Sequence, residues 1–119
     1  MMWKEPRVLG FFKESEGPEI IVAELKGEPG DLYVEIPSGF RNRMEIVVGN
    51  KIRCFLEATL DRNGNKLKEI NREMIGEIVG YWNELHLPEE EIFENGLKKG
   101  DLLRLHLLSV FQFGEERKV

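Results

Sequence analysis

The sequence reads IPSGFRNRMEIVVGNKIRCFL over residues 36–56 and LPEEEIFENGLKKGDLLRLHL over residues 87–107. In both segments an apolar residue precedes a proline, and a glycine follows that proline by 12 positions. Proline has no amide hydrogen to donate, so it ends a strand and can start a helix, and glycine accepts the positive φ of a turn. The two segments therefore predict one repeated unit: a strand, a short helix, a turn and a long strand.

The remaining elements follow from apolar alternation and from the turn residues between alternating stretches. Predicted strands cover residues 7–13, 19–25, 32–36, 51–60, 74–79, 84–87 and 102–113, and predicted helices cover residues 38–46 and 89–95. The charged segment 66–73 is compatible with either a short strand or one helical turn. The charged tail, residues 114–119, is expected to fray.

Each half of the chain is too small to bury its own apolar face, so the two halves are expected to pack on each other. A closed barrel with pseudo-two-fold symmetry achieves this and leaves no exposed sheet edge. The predicted fold class is therefore mainly β: a small closed barrel with an internal repeat and two short helices. One domain, residues 1–119, is divided into repeat one (about 20–56), a linker (57–73) and repeat two (about 74–108).

Composition limits the function classes. The chain has 41% hydrophobic and 33% charged residues, a net charge of −5 and a pI of about 5.2, which is not the profile of a strongly basic nucleic-acid-binding domain. It has no apolar run of about 18 residues and no secretory signal, so we expect no membrane partner and a cytoplasmic location. Its single cysteine, Cys54, excludes an internal disulfide and is expected to be a buried structural thiol.

The two repeated segments carry opposite local charge. The first has four cations, Arg41, Arg43, Lys51 and Arg53, against one carboxylate, Glu45. Residues 84–101 have two lysines against six carboxylates. Three of those carboxylates follow Pro88 directly, where they suit the positive end of a helix dipole.

The repeated unit resembles the half-barrel of the AbrB/MazE/SpoVT superfamily of swapped-hairpin barrels. The resemblance is carried by Tyr33-Val34-Glu35-Ile36-Pro37 in the first copy and most closely by Leu97-Lys98-Lys99-Gly100-Asp101 in the second, and it covers residues 20–56 and 74–108. It implies a cradle-loop barrel. Because relatives usually join half-barrels from two chains, it also implies a fused version with both halves in one chain.

The resemblance further implies DNA binding, because most relatives are regulators or antitoxins that use basic residues on the hairpin loops and the short helix. Arg41, and by proximity Arg43, occupy positions where relatives carry helix arginines. The matching residues of the second copy are Ile92 and Glu94. The hairpin turns at residues 27–31 and 80–83 carry no arginine or lysine, so symmetric binding by both halves is not expected.

The leading hypothesis is a non-enzymatic, AbrB-like DNA-binding regulator that contacts phosphates weakly and salt-sensitively through Arg41, Arg43, Lys51 and Arg53. A second hypothesis is a protein-interaction module, in which the oppositely charged halves dock partners or copies of the chain head to tail. A third is a small-ligand-binding or enzymatic barrel of the riboflavin-kinase-like kind. No phosphate-binding glycine loop is present.

Other residues give weaker signals. Tyr81 and Trp82 form an aromatic pair in a turn, which is either a partner-binding tip or a plug for one end of the barrel. His86 and His106 lie on predicted strands without an obvious serine or cysteine partner, so both are expected to be surface or rim imidazoles. The sequence predicts no catalytic residues, no metal site and no cofactor.

Overall fold

The computed structural model describes residues 19–80 and 83–119, and in these ranges the chain is mainly β, with eight strands and two short helices. In chain order the elements are β1 (Glu19–Glu24), β2 (Lys26–Glu28), β3 (Asp31–Glu35), α1 (Ser38–Arg43), β4 (Lys51–Leu60), β5 (Lys66–Ile78), β6 (Glu84–His86), α2 (Glu89–Glu94), β7 (Leu102–Gln112) and β8 (Glu115–Lys118). The strand predicted over residues 7–13 lies outside the described residues.

All strands join one antiparallel sheet in the order β1-β7-β4-β5-β6-β3-β2, and β8 also pairs with β7. The sheet curls, so that β1 at one end of this order contacts β3 near the other. Its central pair is β4 and β7, in register from Lys51 opposite Phe111 to Leu60 opposite Leu102. The turns that precede these two strands therefore lie at opposite ends of a pair that spans about 30 Å.

The core is formed by the inward side chains of the long strands, as the predicted alternation requires. Ile52, Cys54 and Leu56 of β4 are fully buried, and so are Leu103, Leu105 and Leu107 of β7. Burial raises the pKa of the Cys54 thiol to about 12, so the thiol is protonated at neutral pH. The prediction of a buried structural cysteine is confirmed.

Both helices begin directly after the prolines that predicted them. Pro37 (φ −64°, ψ 143°) and Pro88 (φ −60°, ψ 135°) keep extended backbone and form the N-caps of α1 and α2. The helices end at Arg43 and Glu94, before the predicted ends at residues 46 and 95. The two helices thus extend over matching positions 51 residues apart.

The turns after the helices also use the same bonds at positions 51 residues apart. The amide of Val47 donates to Asn50 Oδ1 (2.9 Å), and the amide of Lys98 donates to Asp101 Oδ2 (2.9 Å). The predicted glycines, Gly49 and Gly100, have φ values of 99° and 97°. A side-chain oxygen three residues after the amide and a left-handed glycine therefore fix each turn.

Two local expectations were settled differently by the structure. Residues 66–73 are strand and belong to the 13-residue β5, so the helical alternative is wrong. The expected frayed tail is also wrong, because Glu115–Lys118 pairs with Ser109–Gln112 of β7. The turn between these strands is formed by Phe113 and Gly114, both at positive φ (51° and 77°).

The tail is held by a buried amide. Gln112 is 3% exposed, and its Nε2 donates to the carbonyls of Met44 (3.0 Å) and Glu45 (2.9 Å) and to Asn50 Oδ1 (3.1 Å). Arg117 of β8 donates to Gln112 Oε1 and to the Met44 carbonyl. Gln112 and β8 together satisfy the carbonyls at the end of α1.

We expect Gln112→Leu to lower the free energy of unfolding by about 1–3 kcal/mol, because it removes the buried amide that donates to the Met44 and Glu45 carbonyls and accepts from Arg117. Urea denaturation measures this change. The control is Glu115→Ala, an exposed substitution in the same hairpin that should stay within about 0.5 kcal/mol of the parent. Equal stability of Gln112→Leu and the parent would contradict the role given to this amide.

Candidate binding surfaces at the two ends of the sheet

Arg53, one of the four cations predicted to contact DNA, is already paired with two carboxylates. Its Nη1 lies 2.7 Å from Glu73 Oε2, and its Nε lies 2.9 Å from Glu116 Oε2. The guanidinium also lies over the Phe111 ring, 5.2 Å from the ring centre. The hydrogen bonds to Glu116 and then to Glu73 raise the pKa of Arg53. A phosphate would have to displace these carboxylates to bind there.

The other three predicted cations lie on α1 or just after it. Arg43 Nη2 is 2.8 Å from Glu19 Oε1. Arg41 lies on α1 and is half-buried. Lys51 is exposed at the start of β4, opposite Glu77 of β5 in the strand register. Arg41, Arg43 and Lys51 therefore lie toward one end of the β4–β7 pair. Arg53 instead pairs with the two carboxylates described above.

Helix α2 differs from α1 in what it exposes. Phe40 of α1 is 1% exposed and joins the core, whereas no residue of α2 is buried and Phe93 is 84% exposed. Between α2 and the β2–β3 turn is an open depression of about 280 Å³. Its apolar lining, hereafter the α2 surface, consists of Pro29, Leu32, Ile92, Phe93 and Leu97.

The charge around the α2 surface is acidic. Helix α2 carries four glutamates and no lysine or arginine. Glu91 pairs with Arg72 (3.0 Å), but Glu89 and Glu90 have no ion-pair partner within residues 19–80 and 83–119. The two nearby lysines are each next to a carboxylate: Lys98 Nζ is 4.0 Å from Asp101, and Lys99 Nζ is 3.4 Å from Glu28.

The opposite end of the β4–β7 pair combines exposed apolar residues with cations. Val47 and Val48, in the turn after α1, are 55% and 49% exposed. Phe113 is 95% exposed, and it follows Gln112, whose amide contacts the end of α1. Arg41, Arg43, Val47, Val48 and Phe113 are hereafter the α1 surface.

The two histidines have separate partners. His86 Nδ1 is 2.9 Å from Asp31 Oδ1, and its ring stacks on Tyr33 with the centres 5.2 Å apart. His106 Nε2 is 2.8 Å from Glu57 Oε1. His106 and then Lys66 lower the pKa of Glu57 by hydrogen bonding to its charged form. Both imidazoles are half-buried in polar pairs on the sheet, and β6 and β7 are not neighbours.

Sequence reasoning missed the exposed aromatic residues. Phe93 stands among the glutamates of α2, whereas the residue 51 positions earlier, in the other helix that follows a proline, is Asn42, and this difference was the available signal. Phe113 had no such signal, because its turn depends on the pairing of β8. The predicted partner-binding pair, Tyr81 and Trp82, lies outside the described residues.

Within the described ranges, no three or more His, Cys, Asp or Glu side chains are grouped as metal ligands. Neither helix there has the length and apolar content that a membrane span requires. Comparison of the chain with protein-family models, with curated proteins and with solved structures finds no match.

Proposed function

We propose that this chain is an AbrB-like, cradle-loop barrel closed by two internally duplicated halves, and that it acts as a non-enzymatic protein-docking module. The duplication is supported by the strand register. Phe55 pairs with His106 in the β4–β7 ladder, and Val34 pairs with Leu85 in the β3–β6 ladder. Each pair joins residues 51 positions apart, as expected if a pseudo-two-fold axis passes through both.

The exchange of strands between halves supports the same arrangement. Strand β1 of the first half pairs with β7, and the C-terminal part of β5 pairs with β4. The connecting bonds match: Leu25 exchanges backbone hydrogen bonds with Gly100 and Asp101, and Ile78 exchanges them with Gly49 and Asn50, all at 2.8–2.9 Å. Each half therefore covers the apolar face of the other.

A pair of matched salt bridges with reversed signs adds to this support. Arg43 of α1 pairs with Glu19 at the start of β1, and Glu94 of α2 lies 3.8 Å from Arg72 in β5. Arg43 and Glu94 are 51 positions apart. The basic and the acidic partner have exchanged places between the two salt bridges, so each bridge is kept. Divergence of two duplicated halves would produce such an exchange.

The docking function rests on one observation, the exposed Phe93 beside an apolar depression on an acidic helix. An exposed aromatic residue next to a concave apolar surface is typical of the anchor pockets of interfaces. Because α2 carries four glutamates, its charge complements a partner segment that presents an apolar side chain among lysines or arginines. The proposed occupant is therefore a basic segment of a protein.

DNA is the competing ligand. Its support is the family resemblance and the cations of α1 together with Lys51. Against it, Arg53 and Arg43 already pair with carboxylates, and Lys51 lies opposite Glu77. Phosphate affinity depends on the number of cations that release counterions, so pairing within the chain lowers it.

We expect a short lysine-rich peptide with one central tryptophan, labelled with a fluorophore, to bind the protein at low salt. Phe93→Ser should weaken this binding by about tenfold or more, as loss of an interface anchor does. Val22→Ser is the control, because it removes an exposed apolar residue of β1 that belongs to neither the α1 surface nor the α2 surface. Fluorescence anisotropy measures all three affinities.

Two outcomes would contradict the docking function. One is equal affinity of the parent and Phe93→Ser for the lysine-rich peptide, or equal binding of the same peptide with glutamate in place of lysine. The other is a duplex DNA mobility shift at low salt that is lost in an Arg41→Ala/Arg43→Glu variant, which would favour DNA as the ligand.

A further inference from the structure

The two exposed apolar surfaces lie too far apart to meet within one molecule. The turn after α1 leads into Lys51, and the turn after α2 leads into Leu102, at opposite ends of the β4–β7 pair. That pair spans about 30 Å. Any contact between the α1 surface and the α2 surface therefore requires a second molecule.

The two surfaces have complementary chemistry. Helix α1 carries two arginines and no acidic residue, and one of them, Arg43, also pairs with Glu19 of its own chain. Helix α2 carries four glutamates and no basic residue. Each helix lies beside exposed apolar side chains, Val47, Val48 and Phe113 at one end and Phe93 at the other. An apolar centre with a rim of opposite charge on the two sides gives both affinity and orientation.

We infer that the basic partner of the α2 surface is the α1 surface of a second copy of this chain, so that copies dock head to tail. This inference rests on the proposed function, because it names the occupant of the same depression. The interface joins different surfaces of the two molecules, and each docked pair keeps one free α1 surface and one free α2 surface. Unless the rotation between copies closes a ring, such contacts continue into an open chain.

The test uses two charge-reversal variants of the full chain. The α1 variant, Arg41→Glu/Arg43→Glu, makes the α1 surface acidic. The α2 variant, Glu89→Lys/Glu90→Lys, makes the α2 surface basic at two positions without ion-pair partners in the described residues. Both glutamates precede Phe93 by three or four residues, so they share its side of the helix. Circular dichroism and a urea midpoint establish that each variant is folded.

Sedimentation velocity at low salt is expected to show concentration-dependent association of the parent that weakens as salt rises. Each variant alone should associate at least about tenfold more weakly, because it meets like charge at the interface. An equimolar mixture of the two variants should associate again, because the unchanged α2 surface of one complements the unchanged α1 surface of the other. This recovery separates docking from a general effect of net charge.

The inference is overturned if the parent sediments as a monomer at every concentration, or if the mixture associates no better than the separate variants. In either case the peptide titration still tests the proposed docking function, because it does not depend on association between copies of the chain. Peptide binding that depends on Phe93 would leave the docking function in place with a different basic partner. A monomeric parent without Phe93-dependent peptide binding would remove both proposals.

Discussion

Phe40→Ala is expected to lower the free energy of unfolding by about 3–5 kcal/mol, the range for truncating a buried phenylalanine. Phe40 is 1% exposed and attaches α1 to the apolar core. Its removal loses the transfer free energy of the ring and leaves a cavity that surrounding strands fill only partly. Equilibrium urea denaturation, monitored by far-UV circular dichroism, measures the change.

Phe93→Ala is the matched substitution on the other helix, and it should change stability by no more than about 0.5 kcal/mol, as surface substitutions do. Phe93 is 84% exposed, so its ring has few contacts to lose. A loss comparable to that of Phe40→Ala would mean that Phe93 packs in the folded protein, and the α2 surface would then be part of the core. The pair therefore tests whether the two helices differ as described.

Gly76→Val is expected to have the second-largest effect. A Cβ at Gly76 in β5 would lie 2.8 Å from the backbone oxygen of His86 and 2.8 Å from Leu85 Cδ1. The backbone oxygen cannot move without disturbing the pairing of β6 with β5. We expect a loss of about 1–3 kcal/mol or more, the cost of overpacking a filled interior, with valine more harmful than alanine.

The control is Gly39→Ala in α1, where a Cβ would meet nothing within 4 Å. That substitution should be neutral or should stabilise the protein by up to about 1 kcal/mol, because alanine favours a helix more than glycine does. Thermal unfolding of both variants gives the comparison. Equal midpoints for Gly76→Val and the parent would show that β6 does not approach β5 as closely as described.

Proline and glycine made the local features predictable from sequence. Pro37 and Pro88 fix the helix starts, and Gly49 and Gly100 fix the turns, because their backbone preferences act within a few residues. The limits of β4 were predicted correctly at residues 51–60, since its apolar side chains alternate over most of its length. Burial of one face imposes that period.

The tail and the first half of β5 could not be predicted in the same way. Residues 66–73 are mostly exposed, so no apolar period marks them as strand. Strand β8 has charged residues throughout, and its order depends on pairing with β7 and on the Arg117–Gln112 contact. These contacts join the charged segment to other parts of the sheet, and the sequence of the segment itself does not indicate them.

The candidate surfaces show a similar limit. Counting charges along residues 38–53 gave a basic patch, but the carboxylates that pair with Arg53 come from Glu73 and Glu116, which are distant in the sequence. The exposure of Phe93 was not predicted either, because an apolar residue in a short helix is usually assigned to the buried face. Both cases concern which groups meet in space, and this depends on the pairing of strands that are distant in the sequence.

The placement of β8 has a consequence for association of another kind. Strand β1 covers Leu102–Leu107 on one edge of β7, and β8 covers Ser109–Gln112 on the same edge, while β4 occupies the opposite edge. An uncovered edge offers amides and carbonyls as a template for amyloid-like growth and for domain swapping. The charged residues of β8 thus protect this edge from aggregation, and their removal would expose Ser109–Gln112 of β7.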